Sequence, residues 1–300
     1  MTAAPGPRLA NGPAPATPAP AAPCSPEESV RLRRIAASAA QAAADHLARV
    51  FRGDMHIEHK GDAYDLVTEH DVAAEHIIRN RILAEEPDST VLGEEGGATG
   101  SGRVAWHVDP IDGTVNFARG IAFWCVSVAA AIDGVVVAGA IADPMGGNEF
   151  TADLTGVWHN GGPARPRAAT EELAATVVST FPRAVDLGSN GAGAMDASRR
   201  LVESFGAVRC LGSGALGLAH VAVGWADATF DMHTHPWDVA AGSLMVRQAG
   251  GRYVGYARGV PDADPASDYT HPGYYAVGGP VDYPTLEGVV QEMSASATRR

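Results

Sequence analysis

Two apolar runs, residues 123–132 and 135–142, are joined by Asp133-Gly134. Asp-Gly between two such runs is the strongest short-range signal for a β-hairpin. No other feature constrains the fold as much, because it commits the middle of the chain to antiparallel pairing. Residues 148–152 offer a third antiparallel strand. A helix is expected over 27–51, opened by Ser25-Pro26 and closed near Gly53. A second is expected over 68–86, with Val72, Ile77, Ile78, Ile82 and Leu83 on its buried side and Pro87 as its stop. The Gly-rich acidic segment 93–102 reads as a mobile loop, 104–108 as a short strand ending at Asp109, and 160–175 as a connection. The second half alternates: helix 194–205, strand 208–211, helix 214–223, strand 226–231. Helix 236–249 follows, with Pro in its first turn and Gly250-Gly251 at its end. Strands near Tyr253 and Tyr274 and a helix over 286–293 finish the chain. This order is not strict βαβ. It implies an α/β layered sandwich with mixed sheets rather than a simple doubly wound sheet.

Composition narrows the function. The 300 residues carry 35 acidic and 22 basic side chains, a formal net charge of −13. A duplex nucleic-acid binder normally shows a basic face, and a polybasic membrane binder does too, so neither partner is expected. Multivalent cations suit the surplus carboxylates better. Lys60 is the only lysine; every other basic residue is Arg. Cys24, Cys125 and Cys210 are odd in number and far apart, which gives no disulfide framework or zinc pattern and points to the cytoplasm. No run of 18 apolar residues exists. Residues 1–26 are a Pro/Ala-rich tail whose only charge is Arg8, expected to be disordered. Residues 27–300 are expected to form one domain with halves at about 27–165 and 166–300.

Three short stretches gather carboxylates. They are Gly93-Glu94-Glu95-Gly96, Asp109-Pro110-Ile111-Asp112-Gly113-Thr114, and Pro236-Trp237-Asp238. Mg²⁺ takes oxygen ligands near octahedral geometry and keeps several waters. Asp-Pro-Ile-Asp at the end of a strand can bring two carboxylates and the Ile111 carbonyl to one spot. Gly113-Thr114 can then open a helix whose free N–H groups hold a phosphate. If these ends meet, two cations share Asp109 and a phosphate bridges them, the arrangement for in-line attack by water. Singly, each stretch has a plainer reading: a solvated acidic loop, a capped turn, a charge on a helix N-terminus. Their conjunction favours the metal reading.

These motifs resemble the inositol monophosphatase family of Mg²⁺-dependent, lithium-sensitive phosphatases. The family pattern is a Gly-Glu-Glu loop, Asp-Pro-Ile/Leu-Asp-Gly-Thr, and a C-terminal Trp-Asp-x-Ala-Ala/Gly-Gly. Lys60, Asp65-Leu66-Val67-Thr68, Asp71, Asn116-Phe117 and Gly212-Ser213 extend the likeness, which runs from about Glu27 to about Glu287. The resemblance implies a layered αβαβα sandwich, a homodimer and two to three Mg²⁺ per site. It places Glu94, Asp109 and the Ile111 carbonyl on the first ion, and Asp109, Asp112 and Asp238 on the second. A weaker third ion would lean on Glu94. Thr114, linked to Asp71, would deprotonate and aim the attacking water. The Gly113 and Thr114 amides would bind phosphate, Glu95 would stand behind the ligands, and Lys60 would lie close to the metal loop. Gly212, Ser213 and Gly214 would open a helix beside the substrate hydroxyls, with Asp231 in the position of the family's hydroxyl-binding acid.

The expected activity is hydrolysis of a small phosphate monoester, inositol monophosphate first. Histidinol phosphate, fructose 1,6-bisphosphate and other sugar or cyclitol phosphates are the alternatives, and a non-catalytic binding role is the minor one. Arg183 either meets a second anion or is merely solvated. His233 and His235 are expected to shape the entrance beside Asp231 rather than to bind a transition metal. Trp106, Trp124 and Trp225 are expected in the core, and His107 is expected to pack on its strand.

Overall fold

The computed structural model describes residues 22–59, 66–164 and 166–296. Helix α1 (Pro26–Val50) starts at Ser25, whose side chain accepts from the Glu28 amide at 3.2 Å, and carries Glu27 and Glu28 in its first turn. Its buried stripe is mostly Ala, with Leu32, Ile35 and Leu47, so it lies close against the sheet beneath. Strands β1 (Ile57–His59) and β2 (Leu66–Thr68) form a small antiparallel pair leading into α2 (Glu69–Glu85).

The larger sheet contains β3 (Ser89–Gly93), β4 (Gly97–Gly100), β5 (Val104–Asp112), β6 (Cys125–Ile132), β7 (Val135–Asp143), β8 (Asn148–Asp153), β9 (Gly156–His159) and β10 (Gly162–Pro163). Its order is β10-β9-β8-β7-β6-β5-β3-β4, with β3 and β5 parallel and the other pairs antiparallel. The short helix α3 (Thr114–Ala118) follows β5. The expected hairpin is present: Asp133 and Gly134 have φ of 51° and 81°, as its tight turn requires. Successive β6 side chains serve two cores. Val126, Val128 and Ala130 pack toward α1 and α2; Ala129 and Ala131 pack toward helices on the other face.

The second sheet contains β11 (Thr176–Ser179), β12 (Ala207–Cys210), β13 (Ala228–Asp231), β14 (Arg252–Ala257), β15 (Val260–Asp262) and β16 (Gly273–Val277), in the order β12-β11-β13-β16-β14-β15. Strand β11 runs parallel to β12 and β13, and β16 antiparallel to β13 and β14. Helices α5 (Gly214–Val223) and α6 (Pro236–Gln248) lie between the sheets, burying Leu216, Leu218, Val239 and Leu244 with Ile141, Phe150, Tyr253 and Tyr274. Helices α4 (Ala184–Ser204) and α7 (Pro284–Ser296) cover the far face through Leu201, Leu286 and Val289 against Val177, Phe230 and Val254. The molecule is the expected αβαβα sandwich with mixed sheets. The spacing at its centre is tight: a Cβ added to Gly242 would stand 2.4 Å from Leu218 Cβ.

Several local expectations change. Segment 93–102 is a β-hairpin, not a loop: β3 and β4 pair around Glu94-Glu95-Gly96. Strands β3 and β11, which carried no clear pattern, are interior strands, each next to the edge of its sheet. Helix α4 begins ten residues before the expected 194 and is kinked at Asn190. In α2, Val72 is 44% exposed, and the inward face carries Asp71 and Glu75 with Ala74, Ile78 and Ile82. That helix is turned to aim Asp71 at Thr114 after β5 and Glu75 at the β3–β4 turn, which hydrophobic spacing does not reveal. Trp106 and Trp124 are core residues, but Trp225 is half-exposed, packed on Phe150, His159 and His220 at the rim of the sheet. His107 packs on its strand against Tyr269 as expected, and burial holds its pKa down at about 4. The expected tail at 1–26 lies largely outside the described residues; Pro26 itself opens α1. Among the described residues, no helix is long and apolar enough to cross a membrane.

Candidate active site

Asp109 and Asp112 are three residues apart on β5, so a regular strand would point them to opposite faces. Pro110 gives no ladder donor, and the register with β6 slips between them: Asp109 pairs with Ser127 and Asp112 with Cys125. Three steps on β5 match two on β6. This bulge turns both carboxylates to the face covered by α5 and α6.

Four further carboxylates reach the same end of the molecule. Asp71, in the first turn of α2, accepts from the Thr68 amide at 2.7 Å and the Thr68 hydroxyl at 2.6 Å. Its other oxygen faces the Thr114 hydroxyl at 3.4 Å, and that hydroxyl lies 2.9 Å from the Ile111 carbonyl. Glu94 and Glu95 form the β3–β4 turn, with the Glu94 amide bonded to the Val108 carbonyl at 3.2 Å. Asp238 sits in the first turn of α6, accepting from the His235 amide at 2.8 Å. The Ser127 hydroxyl donates to the Trp237 carbonyl at 3.3 Å, fixing that helix start to β6.

Burial first, and then the negative charges of Glu94, Asp112, Asp238 and Asp71, push the Asp109 pKa well above the usual carboxylate range. Burial and then Asp112 do the same to Asp238. Asp112 is raised to about 6 by burial, against the lowering effect of its donors. Those donors are mainly the N-terminus of α5, namely the Ser213 hydroxyl, the Gly214 amide at 3.3 Å and the Ala215 amide at 2.8 Å, with the Cys125 thiol at 3.7 Å. Gly212, at φ 80°, turns the chain into that helix. Asn116 Nδ2 donates to the Leu211 and Phe123 carbonyls, each at 2.8 Å, tying the turn after β5 to the turn before α5.

The donor set is hard oxygen throughout, crowded and self-repelling, and it fits a divalent cation in kind. Among the described residues, no three His, Cys, Asp or Glu side chains are already closed around a metal position. The carboxylates instead engage local N–H groups: Asp109 that of Ile111 at 2.9 Å, Asp112 those of α5, Asp238 that of His235.

Sequence reasoning missed Glu75. This buried carboxylate accepts from the Glu95 amide at 2.8 Å and the Gly96 amide at 3.1 Å, and pairs with Arg79 at 2.6 Å. It holds the Glu94-Glu95 turn to α2. The signal was present: Asp71 and Glu75 are spaced i, i+4 and share a helix face. Lys60 and Asp65 lie outside the described residues. Asp231 is buried at the end of β13, and Arg183 pairs with it at 3.0 Å. His233 meets Asp186 at 2.8 Å while His235 stacks on Trp237, so the two imidazoles face different partners.

A family model described as the inositol monophosphatase family matches residues 29–297. The chain belongs to the inositol monophosphatase family. Membership makes it a phosphoric monoester hydrolase. An inositol-1-monophosphatase of Mycobacterium bovis is 37% identical over 249 residues, 76% of this chain and 84% of that protein. A Nus factor SuhB of Xylella fastidiosa is 38% identical over 190 residues, 62% of this chain and 68% of that one. The crystal structure of extragenic suppressor protein suhB from Bartonella henselae superposes with a TM-score of 0.75 at 28% identity, covering 90% of this chain and 99% of that one.

Proposed function

We propose that this inositol monophosphatase family member is an Mg²⁺-dependent phosphomonoesterase for a small polyol phosphate, with inositol monophosphate as the leading substrate. The observation that carries the reading is Asp109, whose carboxyl pKa is raised first by burial and then by four carboxylates from the β3–β4 turn, β5, α6 and α2. Such a cluster is costly to a fold unless a cation completes it.

Glu94, Asp109, the Ile111 carbonyl, Asp112 and Asp238 would hold two or three Mg²⁺ ions. The bound metal would neutralise the cluster, polarise the phosphate and lower the pKa of a water. Asp71 accepts from Thr68 and faces Thr114, and that pair orients the attacking water. The Gly113 and Thr114 amides receive the phosphate. Glu95 braces the turn through its backbone N–H, which donates a hydrogen bond to the Glu75 carboxylate. Gly212, Ser213, Gly214 and Asp231 line the side that meets the substrate hydroxyls. The M. bovis relative carries the inositol-1-monophosphatase name at 37% identity, which supports the substrate class.

The test is phosphate release by the purified protein with Mg²⁺ from inositol 1-phosphate, histidinol phosphate, fructose 1,6-bisphosphate and 3′-phosphoadenosine 5′-phosphate. Inositol 1-phosphate should give the highest kcat/KM. Release from none of them would overturn the reading.

A further inference from the structure

The parallel strands β11, β12 and β13 end side by side, and a second polar cluster stands at their C-terminal ends. Its centre is Asp231. Oδ1 accepts from the Met232 amide at 2.6 Å, the His233 amide at 3.1 Å and Arg183 Nη2 at 3.0 Å; Oδ2 accepts from the Thr180 hydroxyl. The same Arg183 Nη2 donates to the His233 carbonyl at 3.0 Å. Among the described residues, both side-chain hydrogen bonds of Arg183 therefore fall on one nitrogen, and its Nε is buried without a partner, yet the side chain is 38% exposed. A guanidinium has five N–H donors, so this one is anchored with much of its capacity unspent.

The cluster neighbours the carboxylate site through Tyr274. Asp231 is the cross-strand partner of Tyr274, which puts both side chains on one face of the sheet. The Tyr274 hydroxyl lies 3.9 Å from where a Cβ on Gly214 would stand, at the helix start that holds Asp112.

We propose that Arg183 is a specificity-determining residue for the phosphatase reaction. Its guanidinium cancels the charge of Asp231 and offers its remaining N–H groups to a second anionic substituent on the substrate, a phosphate or a carboxylate. Arg is suited to that role, because its planar fork matches both groups. The same cation repels a substrate whose far end is an amine. This inference rests on the phosphatase reading and assigns the substrate class: neutral or doubly anionic polyol phosphates, not amino-alcohol phosphates.

The side chain can be changed without uncapping α4, because the Arg183 amide, not its side chain, bonds Asp186 at 2.6 Å. The experiment compares the wild-type chain with Arg183→Gln and Arg183→Lys. Turnover with Mg²⁺ and equilibrium binding by calorimetry are measured for fructose 1,6-bisphosphate, inositol 1-phosphate and histidinol phosphate. Arg183→Gln should raise KM and Kd for the bisphosphate by about tenfold or more, with a smaller change in kcat. It should tighten histidinol phosphate several-fold, and Arg183→Lys should fall between. Equal factors for all three ligands would overturn the proposal, as that is the mark of a structural role. Binding without turnover, with the bisphosphate weakened and histidinol phosphate tightened by Arg183→Gln, would uphold the role of Arg183 and count against the catalytic reading alone.

Discussion

Glu75 shows how far the candidate site depends on a side chain outside the carboxylate motifs. One buried carboxylate holds two turn amides and one arginine. Removing it strands a guanidinium and two N–H groups at once. Breaking a buried charged pair typically costs about 3–5 kcal/mol. Glu75→Ala should therefore lose stability on that order in chemical denaturation and release the turn that carries Glu94. Glu75→Gln keeps one acceptor oxygen and should lose less. A loss for Glu75→Ala below about 0.5 kcal/mol would show that the turn holds itself.

At the scale of elements, α5 and α6 matter because each presents a site group at its N-terminus: Ser213 and Gly214 on one, Asp238 on the other. Their crossing has no room for a methyl group, since a Cβ at Gly242 meets Leu218 Cβ at 2.4 Å. Overpacking of this kind costs about 1–3 kcal/mol and shifts the backbone. Gly242→Ala should lower the thermal midpoint and reduce kcat as well, because both N-termini move. An unchanged midpoint would contradict the packing account. These helices were legible in the sequence, since Pro236 and the glycines at 250–251 punctuate α6 and an apolar run fills α5. The hairpin β6–β7 was legible for the same reason, through Asp133-Gly134. Strands β3 and β11 were not: each is only four or five residues, β11 takes its place through parallel pairing with distant strands, and the turn of the β3–β4 hairpin is an acidic Glu-Glu-Gly that lacks the usual hairpin signal. The β5 bulge was hidden too. The motif supplied Asp109 and Asp112, but only the β6 register reveals that both face the same way. Mixed connectivity implied a layered sandwich with mixed sheets, and the αβαβα order was implied by the family resemblance; the rotation of α2 followed from neither, because its inward face is partly acidic.

For the whole molecule, the carboxylate cluster couples stability to pH and to cations. The Asp112 pKa is raised to about 6 in the fold, against 3.8 for an ordinary aspartate. A raised acid binds its proton more tightly when folded. Its contribution to stability is greatest below about pH 4 and is lost as pH rises through 6. In the metal-free protein, Asp112→Asn should thus gain thermal midpoint relative to wild type between pH 4 and pH 7. A constant difference across that range would contradict the assignment. A bound Mg²⁺ should act in the opposite sense, since it would favour the deprotonated ligands. At a hundredfold excess over Kd it should add about 2.7 kcal/mol at neutral pH.

The central claim is that the acids at the ends of β3, β5 and α6 hydrolyse a phosphate monoester with a bound divalent cation. Phosphate release from inositol 1-phosphate, followed through chelation and re-addition of Mg²⁺ in wild type and Asp109→Asn, tests it most directly. Wild-type activity should vanish in excess chelator, return with Mg²⁺ and be inhibited by Li⁺. Asp109→Asn should stay folded with kcat lower by roughly two orders of magnitude or more at saturating Mg²⁺. Full wild-type activity in excess chelator, or an Asp109→Asn variant as active as wild type, would contradict it.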